Sequence, residues 1–255
     1  MMKHADFTDL AKYYVHRVGY SLEVLSFIKA KIEYETGGKI VVADVGAGTG
    51  KLTEDLDRLG LTGYAVEPNN AMRKEGEKLF LQKSSFKWLS GSAEVTGLPD
   101  NSVDWVLMGS SFHWADASRA REEFKRILKP GGYFTAIYNP RNILKSELHC
   151  NIEKIIYQEI PDMKRVSSGS TVSFEIMEQK LSNSFKNIIF MEAIYDEIMS
   201  KERYMNIWRS VNDIQVQAGE EGFKRILSNI EKILEGKDKI AVPYKTRAWT
   251  AQVCK

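Results

Sequence analysis

A chain of 255 residues with 43% hydrophobic and 27% charged side chains has the make-up of an ordinary globular protein, which excludes wholesale disorder, a collagen repeat or a continuous coiled coil. The formal net charge of +2 is spread over both halves of the chain without a basic patch, so no nucleic-acid partner is expected. Cys150 and Cys254 are too few for a disulfide framework or a cysteine zinc site, and they fit a reducing compartment. The first ten residues lack an apolar signal core, and no run approaches the roughly 18 apolar residues that span a bilayer. The expected setting is therefore cytoplasmic, with no membrane partner and no metal.

The residues before Lys39 read as one or two helices, with Tyr13, Tyr14, Arg17 and Tyr20 grouped together. From Lys39 onward strand and helix signals alternate. Ile40 to Val45 is a nearly continuous apolar run, the mark of a strand buried on both faces of a parallel sheet. A glycine-rich turn leads into a helix from Lys51 to Leu59, stopped by Gly60. Thr62 to Glu67 reads as a second strand, and Pro68-Asn69-Asn70 opens a helix to about Gln82. Phe86 to Leu89 and Val103 to Met108 are the third and fourth strands, the latter announced by the turn residues Pro99-Asp100-Asn101-Ser102. A helix from Asp116 to Leu128 and the turn Lys129-Pro130-Gly131-Gly132 precede the fifth strand, Tyr133 to Tyr138. Such alternation implies right-handed crossovers and a parallel sheet covered on both faces.

The rhythm changes after Asn139-Pro140. Ile143 to Ile160 reads as an amphipathic helix, followed by a loop centred on Ser167-Ser168-Gly169 and a second helix near Phe174 to Leu181. Asn187 to Ile198 is a candidate strand and Lys201 to Val211 a candidate helix. Phe223, Ile226, Leu227, Ile230, Ile233 and Leu234 keep helical spacing over three turns, and Tyr244 to Val253 closes the chain as an alternating, half-exposed strand.

Asp44-Val45-Gly46-Ala47-Gly48-Thr49-Gly50 is the most informative stretch. Glycines at every second position, between a buried strand and a helix, let backbone approach a ligand closely, and the helix N-terminus offers N–H groups to it. The third glycine arrives one residue earlier than in the dinucleotide fingerprint, which argues against a nicotinamide-dependent oxidoreductase. Glu67 ends the second strand at the carboxyl edge of the sheet, where a carboxylate can accept two charge-assisted hydrogen bonds from vicinal ribose hydroxyls.

Val42 to Gly50 resembles the first motif of class I S-adenosylmethionine-dependent methyltransferases, and Ala65-Val66-Glu67-Pro68 with Met72 resembles the second. Gly91-Ser92-Ala93-Glu94 with Leu98 to Asp104 is similar to the third motif and the entry to the fourth strand, and Arg126 to Gly132 to the turn before the fifth. Phe112-His113-Trp114 further resembles the small-molecule branch that includes trans-aconitate methyltransferase-like proteins, methyltransferase type 11-like in character.

The resemblance implies roles. Gly46, Ala47 and Gly48 would present backbone to the methionine part, and Asp44 would hold its amino group. Glu67 would take the ribose hydroxyls, with Pro68 following it and Met72 packing near the adenine. Ser92, Ala93 and Glu94 would line the adenine edge, with Ser92 standing where many relatives carry aspartate. Ser110 belongs to the same cofactor set, and Tyr14 and Arg17 would close over the cofactor carboxylate, although Val18 replaces the proline usual there.

His113, at the carboxyl edge and with a reference pKa near neutrality, is the candidate general base, with a wall histidine as the other reading. Trp114, Asn139 and Arg141 are candidate substrate contacts. His4, His16 and His149 show no partner pattern, so surface or satisfied positions are expected.

The expected fold is α/β: a doubly wound, seven-stranded Rossmann-like methyltransferase sheet with an inserted helical lid, its last strands antiparallel. As one domain it comprises a helical cap (1–36), a cofactor-binding core (37–141), a lid insertion (142–182) and a C-terminal completion of the sheet (183–255). The expected function is methyl transfer from S-adenosyl-L-methionine to a small-molecule acceptor by in-line displacement, leaving S-adenosyl-L-homocysteine. A non-catalytic cofactor-binding protein and an RNA methyltransferase are the alternatives.

Overall fold

The computed structural model describes residues 8–83, 85–165 and 169–255. His4 and the Ser167-Ser168 centre of the expected loop lie outside them. Helices α1 (Ala11–Tyr14) and α2 (Leu22–Thr36) precede the alternating core of β1 (Val41–Val45), α3 (Lys51–Arg58), β2 (Thr62–Val66), α4 (Asn70–Leu79) and β3 (Phe86–Leu89). Strand β4 (Val103–Gly109), a 3-10 turn at Phe112–Trp114, α5 (Ala117–Ile127) and β5 (Leu128–Tyr138) complete it. Then come a 3-10 turn at Ile143–Lys145, α6 (Glu147–Glu159), α7 (Phe174–Leu181), β6 (Phe185–Ser200), α8 (Lys201–Arg209), α9 (Asn212–Ile233) and β7 (Lys239–Val253).

All seven strands form one sheet in the order β3-β2-β1-β4-β5-β7-β6. The pairings among β1 to β5 are parallel, and both pairings of β7 are antiparallel, so β7 alone runs against the other six. Val42, Ala43 and Val45 of β1 and Val106 and Leu107 of β4 are fully buried, as continuous apolar runs covered on both faces must be. Polar groups inside the sheet are paired: Trp105 Nε1 donates to Thr135 Oγ1 at 2.8 Å, and the Thr135 and Thr250 hydroxyls share a 2.9 Å hydrogen bond across β5 and β7.

The strand expected to be half-exposed at the chain end is a buried, interior one. Its polar alternates Lys245 and Arg247 pair with Glu192 of β6 at 3.3 and 3.1 Å, so the edge position falls to β6 instead. Alternation in β7 thus reflects ion pairing to a neighbour rather than solvent.

Helix starts follow local chemistry. Ser21, Asn69, Asp116, Ser146, Ser173 and Ser200 each cap a helix by accepting a backbone N–H, a device worth about 1 kcal/mol apiece. Helix α9 is two segments joined at Gly219, whose φ of 66° lies in the region glycine tolerates. Ile152 and Ile156 of α6 pack with Tyr204, Met205 and Trp208 of α8 and Ile214, Ile226 and Ile230 of α9 in a core of their own. The cap over the carboxyl edge is therefore built from the segment after β5 and also from the helices between β6 and β7. An amphipathic α6 needs that second partner to bury its apolar face. No helix among the described residues is long and apolar enough to cross a membrane.

Candidate active site

Strands β1, β2, β4 and β5 deliver their carboxyl ends to one crevice, with the chain order reversing between β1 and β4. Asp44, next to last in β1, is fully buried. Its Oδ2 accepts a 2.6 Å hydrogen bond from Thr53 Oγ1 in the first turn of α3, while its Oδ1 has no partner. Burial, followed by the neighbouring Glu67 and Asp55 charges, pushes the Asp44 carboxyl up to about 7. A lone acceptor held at that cost calls for a cationic donor.

Glu67 follows β2 and is buried. One carboxylate oxygen accepts from Gly48 N and the other from Asn69 N, both at 2.8 Å. Burial outweighs these amides and the Arg73 charge and raises its pKa. Each oxygen retains a lone pair for a further donor, such as a hydroxyl. The carboxylate thus ties the glycine turn to the start of α4.

Four amides of the turn are engaged within the protein. Gly46 N and Ala47 N donate to the Val66 carbonyl at 2.8 and 3.1 Å, Gly48 N to Glu67, and Gly50 N to the Ala47 carbonyl at 2.9 Å. The amides of Gly46, Ala47 and Gly48 are thus engaged within the protein, and what these three residues have left to present to a ligand is carbonyl oxygen and close backbone approach. Close approach is real, however. A Cβ on Gly46 would lie 2.8 Å from Ser111 Oγ, and the φ of 71° there excludes most side chains. Met72, buried in α4, sets its methyl 3.4 Å from where a Gly48 Cβ would stand.

Beyond β4, Ser110 adopts φ 52°, uncommon for a residue with a Cβ and frequent at functional turns. Its hydroxyl accepts from Tyr20 OH at 3.1 Å. Ser92 N and Val95 O close a 2.9 Å turn, with Ala93 buried within it, and Glu94 accepts the Asp116 amide at 2.9 Å. Pro68 is exposed beside Glu67.

His113 sits in the 3-10 turn after Ser111, its ring 4.8 Å from Trp114 and 6.1 Å from Tyr138. Its Nδ1 is buried without a partner, and burial, then Lys180, lowers its pKa to about 4. At neutral pH it is an uncharged imidazole.

The remaining expected residues are placed differently. Arg17 donates to the Ser210 hydroxyl and carbonyl, both at 2.9 Å, and covers the Tyr14 ring at 4.2 Å. It therefore pins the N-terminal segment to the α8–α9 junction, and Tyr20 is the residue that reaches the crevice. Asn139 donates 2.7 Å hydrogen bonds to the Gly19 carbonyl and Tyr195 OH and accepts from Thr246 Oγ1 at 2.9 Å. Its side chain is a strut under the N-terminal segment. Arg141 lies over the Trp208 ring at 3.9 Å. His149 departs from expectation: it is buried, with Nδ1 2.8 Å from Ser146 Oγ and Nε2 unpartnered.

Thr53, Asp55 and Ser111 escaped the sequence reading. Thr53 and Asp55 are polar positions on a buried face of α3 that they share with Leu52 and Leu56.

Residues 43–136 match the family of methyltransferase domains. The match spans residues 43–136 of 255, so it is this core segment that is similar to methyltransferase domains. An uncharacterized methyltransferase of Mycobacterium tuberculosis is 43% identical over 101 residues, 40% of this chain and 40% of that one. The match thus spans well under half the length of that relative. An uncharacterized methyltransferase-like protein of Schizosaccharomyces pombe is 25% identical over 256 residues, covering 96% of this chain and 94% of its own. A solved structure from Anaeromyxobacter dehalogenans assigned as a type II methyltransferase shares the fold with a TM-score of 0.69 at 17% identity, over 92% of this chain and 97% of that chain. The buried Asp44 with its orphaned oxygen and the Glu67 carboxylate, each oxygen with a lone pair to spare, have the chemistry to take an ammonium group and a pair of hydroxyls. Among the described residues no group of three or more His, Cys, Asp or Glu side chains is arranged to hold a metal ion.

Proposed function

We propose that this protein transfers the methyl group of S-adenosylmethionine to a small-molecule acceptor by in-line displacement. The observation that carries the reading is the pair of buried carboxylates, Asp44 and Glu67, on either side of a glycine turn, with Asp44 Oδ1 unpartnered. Bound cofactor supplies an electrophilic methyl on a sulfonium that needs no further activation.

The protein's share is to bind, orient and exclude water. Asp44, held by Thr53, receives the ammonium group, and the Gly46–Gly48 turn lets backbone approach it closely. Glu67 takes the ribose hydroxyls with its remaining lone pairs, and Met72 packs beside the turn. Ser92, Ala93 and Glu94 border the adenine, and Ser110 with Tyr20 close the crevice. Orienting two reactants is worth roughly 7–11 kcal/mol.

His113 stands on the acceptor side. Being neutral near pH 7, it is ready to accept a hydrogen bond or a proton at Nδ1 from an acceptor O–H or N–H. Trp114 and Tyr138 hold its ring. The near-neutral charge balance supports a small molecule rather than RNA.

Calorimetric titration tests the reading. Micromolar binding of S-adenosylmethionine and S-adenosylhomocysteine, with none of NADH, is the expected result. Binding of NADH alone, or of neither sulfur ligand, overturns it.

A further inference from the structure

Arg247 of β7 stands between Tyr138 of β5 and Glu192 of β6 in the strand register. Its guanidinium lies over the Trp249 ring at 4.8 Å and the Phe190 ring at 5.3 Å, and Nε donates to Glu192 at 3.1 Å. Nη1 is then shared among three backbone carbonyls, those of Gly169, Ser170 and Val172, at 2.7, 3.2 and 3.0 Å. Gly169 to Ser173 belong to no helix or strand, so these carbonyls have no ladder of their own to join. A planar fork already fixed by two rings and a carboxylate loses little freedom in gathering them.

The segment held in this way lies beside His113. Gly169 takes φ 79°, and a Cβ on it would run into the Cβ of Tyr138, so its backbone rests directly on the end of β5. Val172 is buried in the core that also takes Phe112 and Tyr138, and Lys180 in the last turn of α7 lies over the Phe112 ring at 5.5 Å. From Gly169 to Lys180 the chain therefore runs along Phe112, His113 and Tyr138. Its upstream end is fastened to the cap instead. Gln217 of α9 bonds both the amide and the carbonyl of Lys164 at 2.9 and 2.8 Å, and Arg165 pairs with Glu153 of α6 at 2.6 Å. Arg247 is the tie to the sheet.

We propose that Arg247 is a positioning residue for methyl transfer, holding the Gly169–Val172 strap against Tyr138 so that water is kept from His113. Its bonds go to the strap and to Glu192, so it acts through the strap and not on the reactants. The inference rests on the methyltransferase reading for the role of His113. The lowered pKa of that histidine, set first by burial and then by the Lys180 charge, agrees with a wall on this side. Dry surroundings keep the imidazole neutral and leave its Nδ1 to an acceptor rather than to solvent.

The test follows the imidazole resonances of the four histidines against pH by NMR, with His113 assigned by its loss in His113→Asn. Wild-type His113 titrates at about 4. Arg247→Met keeps the bulk and loses the donors, and it is expected to raise that midpoint by about one unit or more as water enters. Arg247→Lys, which keeps a charge and a donor, gives a smaller rise. Gly169→Ala reaches the same end from below, its methyl group lifting the strap off Tyr138. It changes no charge, so it separates water entry from the loss of a cation, and it carries the comparison should Arg247→Met fail to fold. His149 of α6, likewise at about 4, keeps its wild-type titration, and S-adenosylhomocysteine affinity is unchanged in every variant. An unmoved His113 in Arg247→Met and Gly169→Ala overturns the proposal. So does an equal rise at His149, which marks a general loosening, or a loss of S-adenosylhomocysteine affinity in the variants. A rise at His113 in a protein whose wild type binds no S-adenosylhomocysteine overturns the methyltransferase reading and leaves the strap standing.

Discussion

Asp44→Asn should make the free protein more stable and the cofactor complex weaker at the same time. The buried carboxyl is pushed from 3.8 to about 7, chiefly by burial. Because the folded pKa is raised, its stabilising share is fully present below pH 3.8 and is lost as pH rises through about 7. A shift of about three units corresponds to on the order of 4 kcal/mol of strain carried by the ionised form above that range. Asparagine keeps an oxygen for Thr53 Oγ1 and removes the charge. Its amide N–H takes the place of the orphaned oxygen and offsets about 1–3 kcal/mol of the gain. The net gain at pH 8 is about 1–3 kcal/mol, or a melting temperature raised by about 2–10 °C. Cofactor affinity moves the other way, about 10- to 100-fold weaker, since the ammonium loses a charged partner. Wild-type affinity should also climb between pH 6 and 8 as Asp44 ionises, and the variant's should stay flat. Thermal melts at pH 5 and pH 8, paired with S-adenosylhomocysteine titrations, measure both. If the variant melts below wild type at pH 8, or binds the cofactor equally well, the ammonium assignment is wrong.

Glu67→Ala strips acceptors from Gly48 N and Asn69 N as well as from the ribose, so it should lower stability by about 2–4 kcal/mol besides weakening cofactor binding at least tenfold. A melt unchanged from wild type would show that the carboxylate is not tied to the turn. His113→Asn should cut turnover about 10²-fold or more with S-adenosylhomocysteine affinity intact, and the wild-type rate should show no ionisation limb between pH 6 and 7, because His113 titrates at about 4. A limb near 6.5 that vanishes in the variant would refute the buried, neutral histidine. Asn139→Ala should cost about 1–3 kcal/mol in denaturant melts by removing the hydrogen bonds to the Gly19 carbonyl, the Tyr195 hydroxyl and Thr246, an effect a solvent-facing substrate ligand would not produce. Gly46→Ala should abolish cofactor binding in calorimetry, given φ 71° and the Ser111 side chain in the way.

The half of the fold that was legible is the half encoded locally. Strand β1 is an unbroken apolar run, the turn after it is spelled by glycines, and Asn69 and Asp116 announce α4 and α5 within a residue or two. Glu67 and Asp44 were readable because their positions follow from the ends of those strands. What was not readable depends on chain segments that meet only when folded. Tyr20 reaches Ser110 across 90 positions, Asn139 holds Gly19 across 120, and Arg17 reaches Ser210 across 193. Local spacing carries no trace of such pairs, so Arg17 and Asn139 read equally well as ligands or as struts. For β7 the alternation was correctly seen and its cause misplaced, because a lysine and an arginine facing Glu192 look like a solvent face in one dimension.

That N-terminal segment also explains why the two sides of the crevice have to be considered together. Gly19 and Tyr20 bond to Asp55, Ser110, Asn139 and Tyr195, Ser21 N bonds to Thr246, and Arg17 bonds to Ser210. Four residues thus touch α3, the ends of β4 and β5, strands β6 and β7, and the α8–α9 junction. Hydrogen bonds to this many elements anchor the segment rather than leave it a loose tail. The segment thereby fixes the Ser110 turn after β4 and the Asn139 end of β5 against α3, so the crevice that holds Asp44 and Glu67 keeps its shape before any ligand enters.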